Sequence, residues 1–240
     1  LLSGGKDSNY ALYKSILEGN DVVCIVVVKP RRDDSWVFHA IYPEIAVLQA
    51  KAMGFHEITY LVEVSGEKEL EVLELEKSLL KIKSERDFDS IVVGAIASRY
   101  QLSRFKRIAE NLGVDIYAPL WGVNQKEYMR QLVRSGFEFI ITSISTLGLP
   151  KSFLGKPITV DDVEKLIELA QKHGFNPSFE GGEAETLVID APHYRNRICI
   201  EGEAVSVNEF EHKIRIHRYW LGDKKETCLR IRETLYQNMR

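Results

Sequence analysis

The chain is 240 residues long, 45% hydrophobic and 28% charged, with a formal net charge of -3. That composition is ordinary for a globular protein, the length suits one large domain or two small ones, and the charge excludes the broad basic field of an indiscriminate nucleic-acid binder. The longest apolar run, Val22 to Val28, is far too short to cross a bilayer and no charged-then-apolar leader opens the chain, so neither a membrane nor a nucleic acid is an expected partner.

In chain order, Leu1–Leu2 reads as a strand end running into "SGGKDS" and then a helix, with Ala11, Leu12, Ser15 and Ile16 at helical spacing and Gly19–Asn20 as its stop. "DVVCIVVVK" is a β-branched run of the kind buried on both faces of a parallel sheet. Glu44 to Met53 predicts a helix closed by Gly54, and "ITYLVEV" a strand. "EKELEVLELEKSLLKIKSE" predicts a long helix laced with charge pairs, with Leu70, Leu73, Leu79 and Leu80 inward. "SIVVGAI" is a strand ending at Gly94, Tyr100 to Leu112 a helix stopped by Gly113, and "VDIYAPLWG" a short strand and loop. Lys126 to Arg134 predicts a helix and "FEFIITSIS" a strand. The alternation predicts an α/β fold, a doubly wound parallel sheet over residues 1–146.

Near Leu147 the pattern changes to a Gly- and Pro-rich loop, "TLGLPKSFLGKPIT". Thr159 is placed to cap a helix from Val160 to Lys172. "ETLVID", "RNRICIEG", "EAVSVNE" and "HKIRIHRYW" are strands suited to antiparallel pairing. Residues 147–240 are expected to form a smaller α+β domain, with "KKETCLRIRETLYQN" as a final helix. The scattered cysteines, Cys24, Cys199 and Cys228, argue against a disulfide scaffold, a zinc site and a dithiol redox site, and make a cytoplasmic location the default.

The chemistry is concentrated in Ser3–Ser8. In a parallel sheet, ligands gather at the carboxyl ends of the strands. Gly4 and Gly5 let an anion approach the backbone, the following helix offers unpaired N–H groups, Ser3 and Ser8 add hydroxyls and Lys6 adds charge. This stretch suits a phosphate, and it is neither GxxxxGK[ST] nor GxGxxG. Gly94, at another strand's carboxyl end, is placed on the same nucleotide site, with Ser98 and Gln101 beyond it. Helix capping accounts for Ser98 equally well. Glu180, Glu183 and Glu185 surround Gly181–Gly182 just before a strand. Carboxylates there suit a cationic substrate or the capture of a proton; a solvated acidic turn is the plainer alternative.

SGGKDS resembles the PP-loop of the ATP pyrophosphatases, adenine-nucleotide α-hydrolase-like proteins that cleave ATP between its α and β phosphates. Further stretches are similar to the diphthine–ammonia ligase family within that group. They are Phe38-His39 before the helix bearing Gln49, Ala50, Ala52 and Gly54; the GAI-x-S-x-YQ-x-x-R run of Gly94, Ala95, Ile96, Ser98, Tyr100, Gln101 and Arg104; Pro119-Leu120-Trp121; and "SFEGGEAETLVIDAP". Phe179 stands where that family usually has Gly, Ala184 where it has an aromatic, and Pro150-Lys151 where it has an acidic pair.

The resemblance implies ATP and Mg2+ as cofactors, translation elongation factor 2 as protein substrate and ammonia as nitrogen source. It implies that Ser3, Gly4, Gly5, Lys6, Asp7, Ser8, His39 and Gly94 bind the nucleotide, with Asp7 on the metal. Ser98, Tyr100, Gln101, Arg104, Trp121, Glu180, Gly181, Gly182 and Glu183 would bind substrate, and Lys6, Asp7, Glu183 and Glu185 would act in the chemistry. A tRNA-modifying PP-loop enzyme and a non-catalytic ATP-binding protein are the alternatives. Oligomeric state is left open, a homodimer included.

Overall fold

The computed structural model describes residues 1–32 and 42–233. The chain divides into two compact units, Leu1–Val123 and Asn124–Arg240. Among the described residues no helix is long and apolar enough to cross a membrane.

The first unit is the expected parallel α/β layer. β1 (Ile25–Pro30) pairs in parallel with β2 (Thr59–Val64), and β3 (Ser90–Val92) with β4 (Asp115–Tyr117). Leu1–Leu2 joins the two pairs: the Leu2 N–H donates to the Val26 carbonyl at 2.9 Å and the Leu1 amino group to the Val92 carbonyl at 2.8 Å. The order across the layer is therefore β2, β1, Leu1–Leu2, β3, β4, and the strand order reverses beside the first segment.

Helices α1 (Lys6–Leu17), α2 (Pro43–Met53), α3 (Leu70–Glu85) and α4 (Arg99–Leu112) make the crossovers. Val26 and Val28 pack with Leu75 and Leu79 of α3 and Ile108 of α4. Val27, pointing to the opposite face, is 0% exposed. Burial on both faces explains the uninterrupted apolar run. In α3 the inward stripe is Val72, Leu75, Leu79 and Ile82, while Leu70, Leu73 and Leu80 are exposed. The helix carries two apolar stripes, and the one at i, i+3, i+7, i+10 with β-branched ends faces the sheet.

The second unit holds a 5-stranded sheet in the order β6-β5-β8-β7-β9. β5 (Glu138–Ser145) runs antiparallel between β6 (Ala184–Asp190) and β8 (Glu211–Gly222). The "FEFIITSIS" strand thus departs from the parallel sheet to which chain order assigns it, and the unit begins at Asn124, ahead of the composition change near Leu147. An apolar strand buried on both faces looks the same in either sheet, which is why its sequence is silent on partner and direction. Asn124 caps α5 (Gln125–Arg134), accepting from the Lys126 and Glu127 N–H groups. Thr159 caps α6 (Val160–His173) as expected, with Asp162 returning the bond to the Thr159 N–H. Arg130 of α5 holds Glu164 of α6 through two 2.7 Å bonds.

Three further expectations change. "RNRICIEG" and "EAVSVNE" form one strand, β7 (Arg197–Ser206), bulged between Glu201 and Gly202. The final segment forms a strand, β9 (Leu229–Glu233), parallel to β7, where a helix is expected; residues 234–240 lie outside the described ones. Charge alternates with apolar residues in "LRIRE" at strand period, and the free edge of β7 captures it. Cys199 and Cys228 form a disulfide, with Cα atoms 4.7 Å apart. A separation of 29 residues conceals their proximity, because the parallel register of β7 and β9 creates it.

Candidate functional site

The Ser3–Ser8 loop lies where Leu1–Leu2 hands over to α1. Gly4 has φ +91°, a conformation closed to most side chains, and Gly5 stands at the helix N-cap with no side chain of its own to satisfy the first-turn N–H groups. The turn is braced by short polar contacts. The Ser3 N–H donates to Ser8 Oγ at 3.1 Å, the two serine hydroxyls lie 3.0 Å apart, and Ser8 Oγ donates to the Gly5 carbonyl at 3.2 Å.

Two buried amides hold the loop from behind. Asn9 Nδ2 donates to the Gly5 carbonyl at 3.0 Å and Gln49 Nε2 of α2 to the Gly4 carbonyl at 2.9 Å, while Asn9 and Gln49 also bond each other at 3.3 Å. With the carbonyls held inward, the loop presents its N–H edge. Gly94 closes the arrangement: a Cβ there would lie 2.6 Å from the Ser8 nitrogen and 2.7 Å from the Asp7 carbonyl carbon. The missing side chain lets the first turn of α1 sit against the end of β3.

Lys6 is 2% exposed, and its Nζ donates to both Asp7 oxygens at 2.9 Å. Asp7 is 29% exposed. An ammonium beside the first turn of a helix is chemistry suited to an anion. Asp7 is the one loop carboxylate able to join a divalent cation shared with phosphates, a role that asks for one or two protein carboxylates.

At the carboxyl ends of β3 and β4, Ser98 caps α4, its Oγ accepting from the Gln101 N–H at 3.4 Å. The capping alternative for Ser98 therefore describes its present contact. Gly122 donates to the Ile96 carbonyl at 2.9 Å, which brings the Pro119–Trp121 loop beside the Ala95–Ile96 turn; Trp121 is 39% exposed. Tyr100 and Arg104 come together one turn apart on α4. The guanidinium carbon sits 3.7 Å from the Tyr100 ring centre, and both side chains converge on Glu69. Tyr100 donates to Glu69 Oε1 at 3.1 Å and Arg104 Nη2 to the same oxygen at 2.6 Å. Glu69 adopts φ 64°, unusual for a residue with a side chain. Arg104 holds the Glu69 carboxyl below its usual range; burial, then the Glu69 bond, pushes the Tyr100 phenol up.

Sequence reasoning missed Asn9, Gln49 as a brace, Glu69, and Glu71. Glu71 is a fully buried carboxylate in the first turn of α3, close enough to bear on Tyr100. Its Glu/Lys surroundings mark a solvated surface, so nothing in the spacing singles it out. His39 and Phe38 lie outside the described residues.

In the second unit, the Glu180–Glu185 stretch enters β6. Glu183 folds the loop around itself: Oε1 accepts from the Asn176 N–H at 2.8 Å and Oε2 from the Gly181 N–H at 2.9 Å. A Cβ at Gly181 would lie 2.7 Å from Glu183 Oε1, so a side chain there would require the carboxylate to shift. Phe179 is buried with φ 65°. The family preference for Gly at this position follows from that backbone geometry, and here burial of the ring offsets the strain. Glu180 and Gly182 lie on the loop, Gly182 exposed, while Glu185 sits within β6 opposite Ser143.

A parallel sheet with a braced, lysine-bearing turn at its carboxyl edge defines a nucleotide-binding protein of the PP-loop kind. Residues 1–116 match the family model described as the diphthamide synthase N-terminal domain, and residues 124–227 match that of the diphthamide synthase C-terminal domain. The human protein named diphthine–ammonia ligase is 31% identical over 227 residues, covering 87% of this chain and 84% of the relative. The zebrafish (Danio rerio) protein of that name is 30% identical over 217 residues, covering 84% and 85%. Among solved structures, a protein described as a predicted subunit of tRNA methyltransferase from Methanocaldococcus jannaschii superposes with TM-score 0.40 at 16% identity, over 80% of this chain and 95% of that one. The chain belongs to the diphthine–ammonia ligase family, and it is a ligase.

Proposed function

We propose that this chain converts diphthine on translation elongation factor 2 to diphthamide, consuming ATP and ammonia and releasing AMP and pyrophosphate. Residues 1–123 bind ATP and residues 124–240 contribute substrate contacts. The supporting observation is the braced Ser3–Ser8 turn with buried Lys6.

A carboxylate is a poor acyl donor because its leaving group would be oxide. Attack by the diphthine carboxylate on the α-phosphorus makes a mixed anhydride with AMP and expels pyrophosphate; ammonia then attacks the acyl carbon and AMP leaves. Negative charge grows on the departing pyrophosphate. The first-turn N–H groups of α1 and the Lys6 ammonium meet that charge, and they favour the transition state over bound ATP. Asp7 would hold magnesium, which when bound supplies charge neutralisation between the phosphates. Lys6 then exchanges its Asp7 partner for phosphate oxygen. Arg104 and Tyr100, which hold a carboxylate in Glu69, are suited to hold the substrate's carboxylate. Glu180 and Glu185 carry the charge for a quaternary ammonium or ammonium ion. Glu183 contributes by shaping the loop that presents them, which supports a positioning role in place of direct catalysis. Trp121 and Gln101 complete the substrate contacts of the first unit. With a translation factor as substrate, the site of action is the cytoplasm.

The test is mass analysis of purified diphthine-bearing elongation factor after incubation with this protein, ATP, magnesium and ammonium. Carboxylate-to-carboxamide conversion with equal yields of AMP and pyrophosphate is expected. ADP as the nucleotide product, or an unmodified elongation factor, overturns the reading.

A further inference from the structure

β7, β8 and β9 lie side by side in the second unit, and their register sorts their side chains by face. On one face Ile198, Ile200, Ala204 and Ile214 are buried. On the other, Glu201 of β7 stands between Arg218 of β8 and Arg230 of β9, and Glu203 between Arg215 and Arg232. The bulge at Glu201/Gly202 restores Arg215 to the same face as Arg218. Lys213 extends the row.

Trp220, opposite Cys199, is flanked by cations. The Arg218 guanidinium carbon is 5.3 Å and that of Arg230 5.8 Å from its ring centre. The indole holds both guanidinium groups in place while their N–H edges stay exposed. Arg215 pairs with Glu203 at 3.0 Å, and His217 approaches the same carboxylate at 3.5 Å. Among the described residues, Lys213, Arg218, Arg230 and Arg232 are exposed and have no carboxylate partner. In a chain of net charge -3 this is a local positive field that the nucleotide loop does not use.

We propose that this face of β7, β8 and β9, centred on the Arg218–Trp220–Arg230 cluster, docks an acidic surface of the protein substrate. The inference rests on the proposed function, which requires a macromolecular substrate larger than the reacting side chain. Guanidinium groups fixed by an indole lose little freedom on meeting carboxylates, which favours them as anchors. Glu201 and Glu203 along the central strand favour a protein over a nucleic acid. A continuous polyanion would cross those carboxylates, whereas a protein surface can set basic groups against them. The Trp220 ring, already flanked by two cations, is also a poor stacking platform for a base.

The experiment measures binding of intact purified elongation factor 2 to the full chain, apart from turnover. Arg218→Glu/Arg230→Glu should weaken binding about tenfold or more, and raising salt from about 50 to about 300 mM should weaken the wild-type complex. ATP affinity should be unchanged in the variant. The milder Arg218→Gln/Arg230→Gln pair, checked by circular dichroism, keeps the test valid should the reversal misfold, and should weaken binding in the same direction. Variants that bind elongation factor as tightly as wild type overturn the proposal. So does binding of a labelled polyuridine that the variants lose while elongation-factor binding persists, since it assigns the face to RNA. Charge-dependent binding without amidation would overturn the ligase reading and leave the docking surface standing.

Discussion

Two loops of this protein use similar ingredients, paired glycines among charged residues ahead of a regular element, and they use them in opposite ways. In Ser3–Ser8 the carbonyls of the glycine pair are held by neutral, buried amides, Asn9 and Gln49, while the Lys6 ammonium is paired with the Asp7 carboxylate. In Asn176–Glu183 the loop is held by its own carboxylate, both Glu183 oxygens being taken up by backbone N–H groups. Where neutral amides brace a turn, its charged side chains are not needed to hold those carbonyls; a charge that does the bracing is committed to the fold. The identity of a charged residue in a glycine-rich turn therefore says less about its role than the identity of whatever satisfies the backbone around it.

That contrast can be broken at several points. Lys6→Ala should lower AMP formation about a hundred- to a thousandfold, the loss of one transition-state contact, with a smaller shift in thermal midpoint than Glu183→Ala causes; equal activity in the variant would remove the loop from the chemistry. Gly94→Ala should abolish ATP binding by calorimetry, because the new Cβ meets main-chain atoms of Asp7 and Ser8 that have nowhere to move. The background for both is pH. Burial, with Lys224 second, lowers the His193 pKa to about 4 against an ordinary 6.5. The unfolded chain takes up that proton first, so stability is whole above pH 6.5, falls as pH drops toward 4 and levels below. Partial exposure keeps the loss to about 2 kcal/mol, and His193→Phe should flatten the limb in urea titrations at several pH values.

Glu183→Gln retains one acceptor and should cost about 1–2 kcal/mol of unfolding free energy, with turnover falling only as the loop loosens. A variant of full stability but no activity would place Glu183 in the chemistry after all. The smallest effect sharpens the rule within the first unit, where Glu69 ties up the Tyr100 and Arg104 side chains. Glu69→Ala should bring the Tyr100 phenol part of the way back toward its ordinary pKa, read by ultraviolet titration against Tyr100→Phe; burial sustains the remainder.

What the sequence discloses tracks what is local. Helix ends at Gly54, Gly113 and Thr159, the β1 strand and the nucleotide turn all follow from neighbours within a few residues. What it conceals is pairing. "FEFIITSIS" carries no mark of which sheet it joins, and "LRIRE" reads as helix or strand until β7 offers an edge. The apolar stripe of α3 was ambiguous because two stripes of Leu, Val and Ile run along it. At the site, the loop residues were legible as a motif, but their braces were not. Asn9 and Gln49 are 40 residues apart, and Glu69 reaches Arg104 across 35. Only the folded chain joins them.

The Cys199–Cys228 bond ties the strand carrying Arg230 and Arg232 to its neighbour. To an alkylating reagent the native chain should therefore offer Cys24 alone, and all three cysteines once a reductant has been added. The tally of labelled sulfurs becomes a reporter on the last strand, read by mass without disturbing the nucleotide turn.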